Sequence, residues 1–573
     1  MAKVDHQFRT ITETLAAAPG DRLFATYWVD EDEHDDVTFA EFRRRAGTQA
    51  KLLRDNGVGR GDRVVIVMPQ SVAAMASFAG AMILGAVPAF LAYPNFKVEP
   101  SKYRSGLAGV TANLSAKVVL IDEEFPEELL GHITLNDSSR LLRATESIDD
   151  VAREDFRDSS DAEDIAFIQH SAGTTGLQKG VALTHSAVLR QIGHLADALQ
   201  INDESDRIYS WLPLYHDMGL IACFILPMVC HVPVVMQSPL DWVMHPETML
   251  QIVSEYRCTL GWMPNFGFQF LARRVRPELR NQYDLSSLRA LTNCSEPVRA
   301  ESVNELRRAF GASGLKEGAL HSSYAMAENV FAVTQSTVAD GNGPCRVWAD
   351  GARFRSEHIV SPMTEDTTGA MSFMSSGKLL PGNQVRILSD DGLIVDNGTV
   401  GEILIKSDCL FDGYYNRADL TEKAFLDGWY RTGDLGFYFD GELFVVGRKK
   451  DLLIIGGENL YPQDIEEVVS MHPGVHDGRV VAMGIYSPDL GTEEIVIVAE
   501  VESEELLAAS PEIGAEIRRL VVAGLGVAAR AVYLKPPKWI VKSTAGKPAR
   551  SATRDKLLQE HAELKYEAQE VSS

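Results

Sequence analysis

Several things are scarce in this sequence, and each scarcity excludes something. Six cysteines (Cys223, Cys230, Cys258, Cys294, Cys345, Cys409) lie scattered, with no C-x-x-C pair and no histidine spacing that suggests zinc. That rules out a disulfide framework and a zinc module, and free thiols imply a reducing, cytoplasmic setting. Basic charge is short as well: 55 Lys and Arg stand against 80 Asp and Glu, a net charge of −25. A nucleic-acid or anionic-membrane partner needs a broad basic face, so neither is expected. No apolar run is long enough to span a bilayer, because Val72 to Tyr93 is interrupted by Gly80, Gly85 and Pro88. It reads as a buried helix running into a buried strand. The first residues, Met1-Ala2-Lys3-Val4-Asp5-His6-Gln7, lack the apolar core of a signal peptide.

What is present is a soluble composition, 45% hydrophobic and 24% charged, in 573 residues, too many for one ordinary core. The stretch that organises it is Ser171-Ala172-Gly173-Thr174-Thr175-Gly176-Leu177-Gln178-Lys179-Gly180. It joins two β-favouring runs, Ile165 to Ile168 and Val181 to His185. Glycines let the backbone bend, Ser171, Thr174 and Thr175 offer hydroxyls, and Lys179 supplies charge: the parts of a loop that wraps polyphosphate. It is not a Walker A loop, since the lysine precedes its glycine. Read alone, it also fits a glycine-rich hairpin with no ligand.

Residues 1 to about 160 alternate helix and strand patterns. Thr38 with Glu41 predicts a capped helix through Leu53, and Arg63 to Met68, Ala86 to Leu91 and Lys117 to Ile121 read as buried strands. This alternation implies a mostly parallel sheet with helices on both faces, an α/β fold. After the loop come a helix (Ala187 to Leu199) and Trp211-Leu212-Pro213-Leu214-Tyr215-His216-Asp217-Met218-Gly219-Leu220, a turn that is part of a site or a packed corner. Residues from about 340 to 376 read as an irregular surface insertion, and a small strand-rich subdomain follows Gly377. A hairpin over Phe437 to Val446, turning at Asp440-Gly441, ends it. The boundary falls at Lys449-Lys450-Asp451, giving residues 1–449 as a large N-terminal domain and 451–573 as a smaller α+β C-terminal domain.

Together the motifs resemble the adenylate-forming superfamily, and most of all its fatty acyl-AMP ligases. Ser171 to Gly180 is similar to the phosphate loop, Tyr324 to Glu328 to the adenine and magnesium motif, Arg431 to Asp434 to the ribose motif, and Ser543-Thr544-Ala545-Gly546-Lys547-Pro548 to the final motif. The runs Leu212 to Leu220, Pro264-Asn265-Phe266, Glu296-Pro297-Val298 and Tyr461 to Glu466 match that branch. The resemblance implies ATP and Mg²⁺ as cofactors and a small acid as substrate. It implies Lys547, His216 and Glu328 as catalytic groups, with Glu328 on the metal. It implies Ser171, Gly173, Thr174, Thr175, Gly176, Lys179, Ser295, Glu296, Tyr324, Asp434 and Arg448 around the nucleotide, and Lys450 as the hinge of a mobile small domain.

The departures concern the acid. Trp262 and Met263 before Asn265, Cys294 before Ser295, and Ala325 add bulk where an acyl tunnel would run, which predicts a short, aromatic or otherwise compact substrate. The expected acceptor is an acyl carrier protein thiol. Gly456-Gly457-Glu458-Asn459 keeps coenzyme A as an alternative, and the crowded pocket keeps a small oxyanion such as nitrite, activated for an amine, as another. A catalytically silent binding module is the remaining alternative.

Overall fold

The computed structural model describes residues 8–94, 100–144, 160–170, 179–341, 343–455, 458–487, 492–542, 547–561 and 564. Three runs of β-branched and apolar residues, Arg63–Val67, Val87–Phe90 and Val118–Ile121, form an all-parallel sheet with Arg140–Arg143 at its edge. The first three are buried on both faces and read accordingly as continuous apolar runs. The helix Val72–Ile83 packs with Phe78 stacked on Phe90 at 4.7 Å and meeting Phe224 at 5.9 Å, so it is buried all round and shows no polar face. Gly80 permits this packing, since a Cβ there would sit 2.6 Å from the Ala46 carbonyl oxygen of the helix Phe39–Asp55. That helix is capped by Thr38 as expected, but the Glu41 carboxylate engages Arg44 and Arg45.

A nine-stranded mixed sheet forms the centre of the molecule. Within it Ile208–Ser210, Leu260–Met263, Ala290–Asn293 and Leu320–Ala325 run parallel and side by side. The segments that follow their carboxyl ends carry His216, Asn265, Ser295 and Glu328. That edge is where open α/β sheets bind ligands, because the strand ends diverge there into loops and helix starts.

The region expected to be irregular is more ordered than its composition suggests. Arg346–Asp350 and Ala370–Met374 pair antiparallel, and the helix Gly351–Glu357, capped by Asp350, is packed through Phe354 on Phe373 at 4.4 Å. Two aromatic anchors outweigh the polar turn residues around them. The strand-rich subdomain is a five-stranded antiparallel sheet over residues 383–448. Asp434 lies inside its strand Trp429–Phe439, not in a turn.

Beyond a single 3₁₀ turn, Lys449–Asp451, the chain forms its own three-stranded sheet of Val475–Ser487, Thr492–Val501 and Ala529–Lys535. One face packs on the helices Pro462–Ser470 and Ser510–Leu525, the other on the helix Arg550–Glu560. Among the described residues no helix is long and apolar enough to cross a membrane.

Candidate active site

The strand Ile208–Ser210 hands the chain to Trp211–Asp217 and then to an eight-residue π-helix, Met218–Ile225. Such segments are rare and concentrate at functional sites. Gly219 makes the turn into it possible, because a Cβ would lie 2.2 Å from the Pro213 oxygen. At its start His216 Nδ1 lies 2.6 Å from Asp217 Oδ1, which also accepts the Met218 N–H at 2.8 Å. Burial pushes the Asp217 carboxyl up, but the charge of His216, its hydrogen bond and the more distant Lys547 prevail and hold it below the usual range.

Lys547 lies beyond the Lys449–Asp451 turn, in the segment between the strand Ala529–Lys535 and the helix Arg550–Glu560. Its ammonium donates to the backbone oxygen of Ser295, a residue in the left-handed region at φ +70°. A non-glycine residue held there is a costly conformation of the kind found at functional sites. Cys294 is fully buried beside it, and burial together with the Asp217 charge pushes its thiol up to about 12. Met263 presents its carbonyl to the Cys294 N–H at 3.0 Å, and both it and Trp262 are buried. Ala325 ends its strand at half-burial.

Asn265 serves as a bracket. Its Nδ2 donates to Ser302 Oγ at 2.9 Å, and its Oδ1 accepts from Asn293 Nδ2 at 2.9 Å and from the Arg299 N–H at 3.1 Å. Three of its four hydrogen-bonding positions are therefore taken by protein. Glu296 accepts the Phe266 N–H at 2.9 Å, bracing the same corner.

Among the residues expected around the nucleotide, the Tyr324 hydroxyl donates to Asp434 Oδ2 at 2.6 Å, and Arg448 Nε lies 3.2 Å from Oδ1, directly across the strand pair. Burial and the neighbouring carboxylate push the Tyr324 phenol well above its ordinary value, so it remains a donor. Lys450, in the 3₁₀ turn, is pushed down by burial and by the Arg448 charge.

Glu328 accepts the Tyr414 hydroxyl at Oε1, 2.8 Å away, and no described residue hydrogen-bonds its Oε2. A carboxylate oxygen that no described residue takes is the hard ligand Mg²⁺ prefers, so Glu328 fits the metal expected here. Lys179 Nζ lies 4.4 Å from the centroid of the Tyr414 ring. Ser171, Gly173, Thr174, Thr175 and Gly176 lie outside the described residues, as do Gly456 and Gly457. Sequence reasoning missed Tyr414 and Arg299, while the His216–Asp217 pair lies in the turn it singled out. Tyr414 and Arg299 meet their partners only through tertiary pairing.

A family model for AMP-binding enzymes matches residues 12–415. The chain is 30% identical to the medium-chain-fatty-acid acyl-carrier-protein ligase JamA of Moorena producens, over 92% of this chain and 91% of that protein. It is 29% identical to a 4-hydroxyphenylalkanoate adenylyltransferase of Mycobacterium marinum, over 93% and 88%. A solved structure from a study of fatty acyl-adenylate ligases of E. coli and L. pneumophila superposes with a TM-score of 0.87 at 26% identity, covering 98% of this chain and 99% of that one.

Proposed function

The chain belongs to the AMP-binding enzymes of the adenylate-forming superfamily and is an ATP-dependent ligase of the fatty acyl-AMP and acyl-CoA ligase type; from that premise we propose that it activates a compact, short-chain or aromatic acid as acyl-AMP and passes the acyl group to a carrier-protein thiol. The observation that carries the reading is the Lys547 ammonium on the Ser295 carbonyl, one cation delivered by the small domain to the carboxyl ends of the large domain's strands. Buried Trp262, Met263 and Cys294 support a short acid, and the relative whose name specifies 4-hydroxyphenylalkanoate supports an aromatic one. The relative named for an acyl carrier protein supports the acceptor.

A carboxylate acylates poorly because oxide would have to leave. Attack of its oxygen on the α-phosphorus of ATP expels pyrophosphate and leaves a mixed anhydride whose leaving group is AMP. Two anions must meet, so charge neutralisation governs the barrier. In this reading Lys547 bridges the acid and the α-phosphate, Lys179 faces the departing pyrophosphate, and His216, held by Asp217, lines the acid. Asp434, steadied by Tyr324 and Arg448, accepts the ribose hydroxyls. Glu328 would hold Mg²⁺, which supplies charge neutralisation at the phosphates when bound. Rotation about Lys450 would then withdraw Lys547 and admit the thiol.

The test is acid-dependent exchange of pyrophosphate into ATP across fatty, aromatic and amino acids plus nitrite, followed by transfer to a phosphopantetheinylated carrier or to coenzyme A. A best rate with short or aromatic acids is expected. Preference for palmitate-length acids, or acylation of coenzyme A alone, contradicts it.

A further inference from the structure

We propose that Tyr414 is a positioning residue that stations Lys179 and Glu328 relative to one another, through two different parts of one side chain. The inference rests on the functional reading above, in which Lys179 faces phosphate and Glu328 faces the metal.

Its backbone is tied to the strand that leaves the glycine-rich loop. Gly413–Tyr414 pairs antiparallel with Gly180–Thr184, placing Tyr414 opposite Val181, and the N–H groups of Asp412 and Tyr415 donate to Ala182 and Gly180 at 2.9 and 2.7 Å. The Tyr414 N–H is itself taken by Thr421 Oγ1 at 2.9 Å. The ring is fixed edgewise against Phe411 at 4.9 Å. From that mount the ring face holds the Lys179 ammonium at 4.4 Å, within cation–π range. The hydroxyl reaches Glu328 Oε1 at 2.8 Å and lies 3.2 Å from the Tyr430 hydroxyl. Glu328 is held a second time through its backbone oxygen, which accepts the Phe411 N–H at 2.9 Å. The hydroxyl engages only Oε1, and among the described residues none hydrogen-bonds Oε2. One residue thus sets the spacing of two groups that lie far apart in the chain, in the way outer-shell partners orient metal ligands.

Because ring and hydroxyl act on different neighbours, they can be separated. ATP binding to the full chain is measured by calorimetry without any acid, with Mg²⁺ and with the metal chelated, for the wild type, Tyr414→Phe and Tyr414→Leu, each checked by thermal melting. Tyr414→Phe is expected to lose about tenfold of the Mg²⁺-dependent gain in affinity while keeping metal-free binding. Tyr414→Leu is expected to weaken metal-free binding about threefold as well. If the leucine variant does not fold, Lys179→Met, at an exposed position, takes its place and should lower metal-free affinity alone. Wild-type affinities in Tyr414→Phe, or equal weakening of metal-free binding in both tyrosine variants, would overturn the inference. A wild type that binds no ATP overturns the functional reading itself, a result distinct from binding that the variants leave unchanged.

Discussion

Arg299 Nη1 lies 2.9 Å from Asp464 Oδ1 and 3.2 Å from Glu467 Oε2, tying the start of a large-domain helix to the first small-domain helix in the orientation that brings Lys547 to Ser295. Arg299→Gln leaves two carboxylates without their counter-charge and should disfavour this orientation. We expect acyl-AMP formation to fall about tenfold with transfer from preformed acyl-AMP undiminished, since in the proposed cycle only the first step uses this arrangement. Single-turnover measurement of the two half-reactions decides it, and equal losses would refute the assignment.

Lys547 and Lys450 should fail in opposite ways. Lys547→Met removes the cation between two anions and is predicted to slow acyl-AMP formation at least about a hundredfold. Lys450→Pro stiffens the 3₁₀ turn and should leave that step measurable while suppressing transfer. Identical profiles for the two variants would show that the turn is not a hinge.

The buried Tyr324 hydroxyl and Arg448 hold opposite oxygens of Asp434. Tyr324→Phe should raise the KM for ATP a few-fold with a smaller effect on kcat, and Asp434→Asn should raise it about tenfold because, in the proposed site, the ribose loses its charged acceptor. Unchanged KM in the asparagine variant would remove Asp434 from the nucleotide site.

Pocket bulk is testable at Cys294. Its thiol, pushed up to about 12, is neutral at working pH, so Cys294→Gly changes volume without removing a charge. The best straight-chain acid in pyrophosphate exchange should become longer by one or more methylenes. An unaltered chain-length profile would mean that Cys294 does not limit the pocket.

His170, wholly inside the fold at the end of the strand Ile165–His170, is lowered by burial from 6.5 to about 4. Between those values the unfolded chain binds a proton that the folded chain refuses, so lowering the pH favours unfolding. The loss begins near pH 6.5, is complete below about pH 4, and amounts to about 3 kcal/mol. His170→Gln should flatten the stability profile over that window, as read by chemical denaturation at a series of pH values; a parallel profile would contradict it.

The strands were legible because burial on both faces leaves continuous apolar runs, as in Arg63–Val67, and the separate sheet of Val475–Ser487, Thr492–Val501 and Ala529–Lys535 because the strand pattern restarts after Asp451. Local turn chemistry misled at residues 346–374, where Thr, Glu and Gly hid an antiparallel strand pair and an intervening helix held by Phe354 and Phe373. The sequence offered Asn265 as a pocket residue and gave no sign of the brace, since its partners Asn293, Arg299 and Ser302 meet it only in three dimensions. Tyr414 left no trace because strand pairing, not sequence distance, brings it to Lys179.

The π-helix at Met218–Ile225 can also be viewed as an insertion retained at the site's edge. Relative to an α-helical turn it carries surplus chain, and deleting one residue from it would let the segment relax to ordinary helical winding. That shorter form would gain regular hydrogen bonds yet rotate the flanking residues by about 100°, carrying His216 and Asp217 off the strand end that Lys547 meets. The most regular version of this helix is therefore the one least compatible with the site, and length variation there should separate folded relatives from active ones.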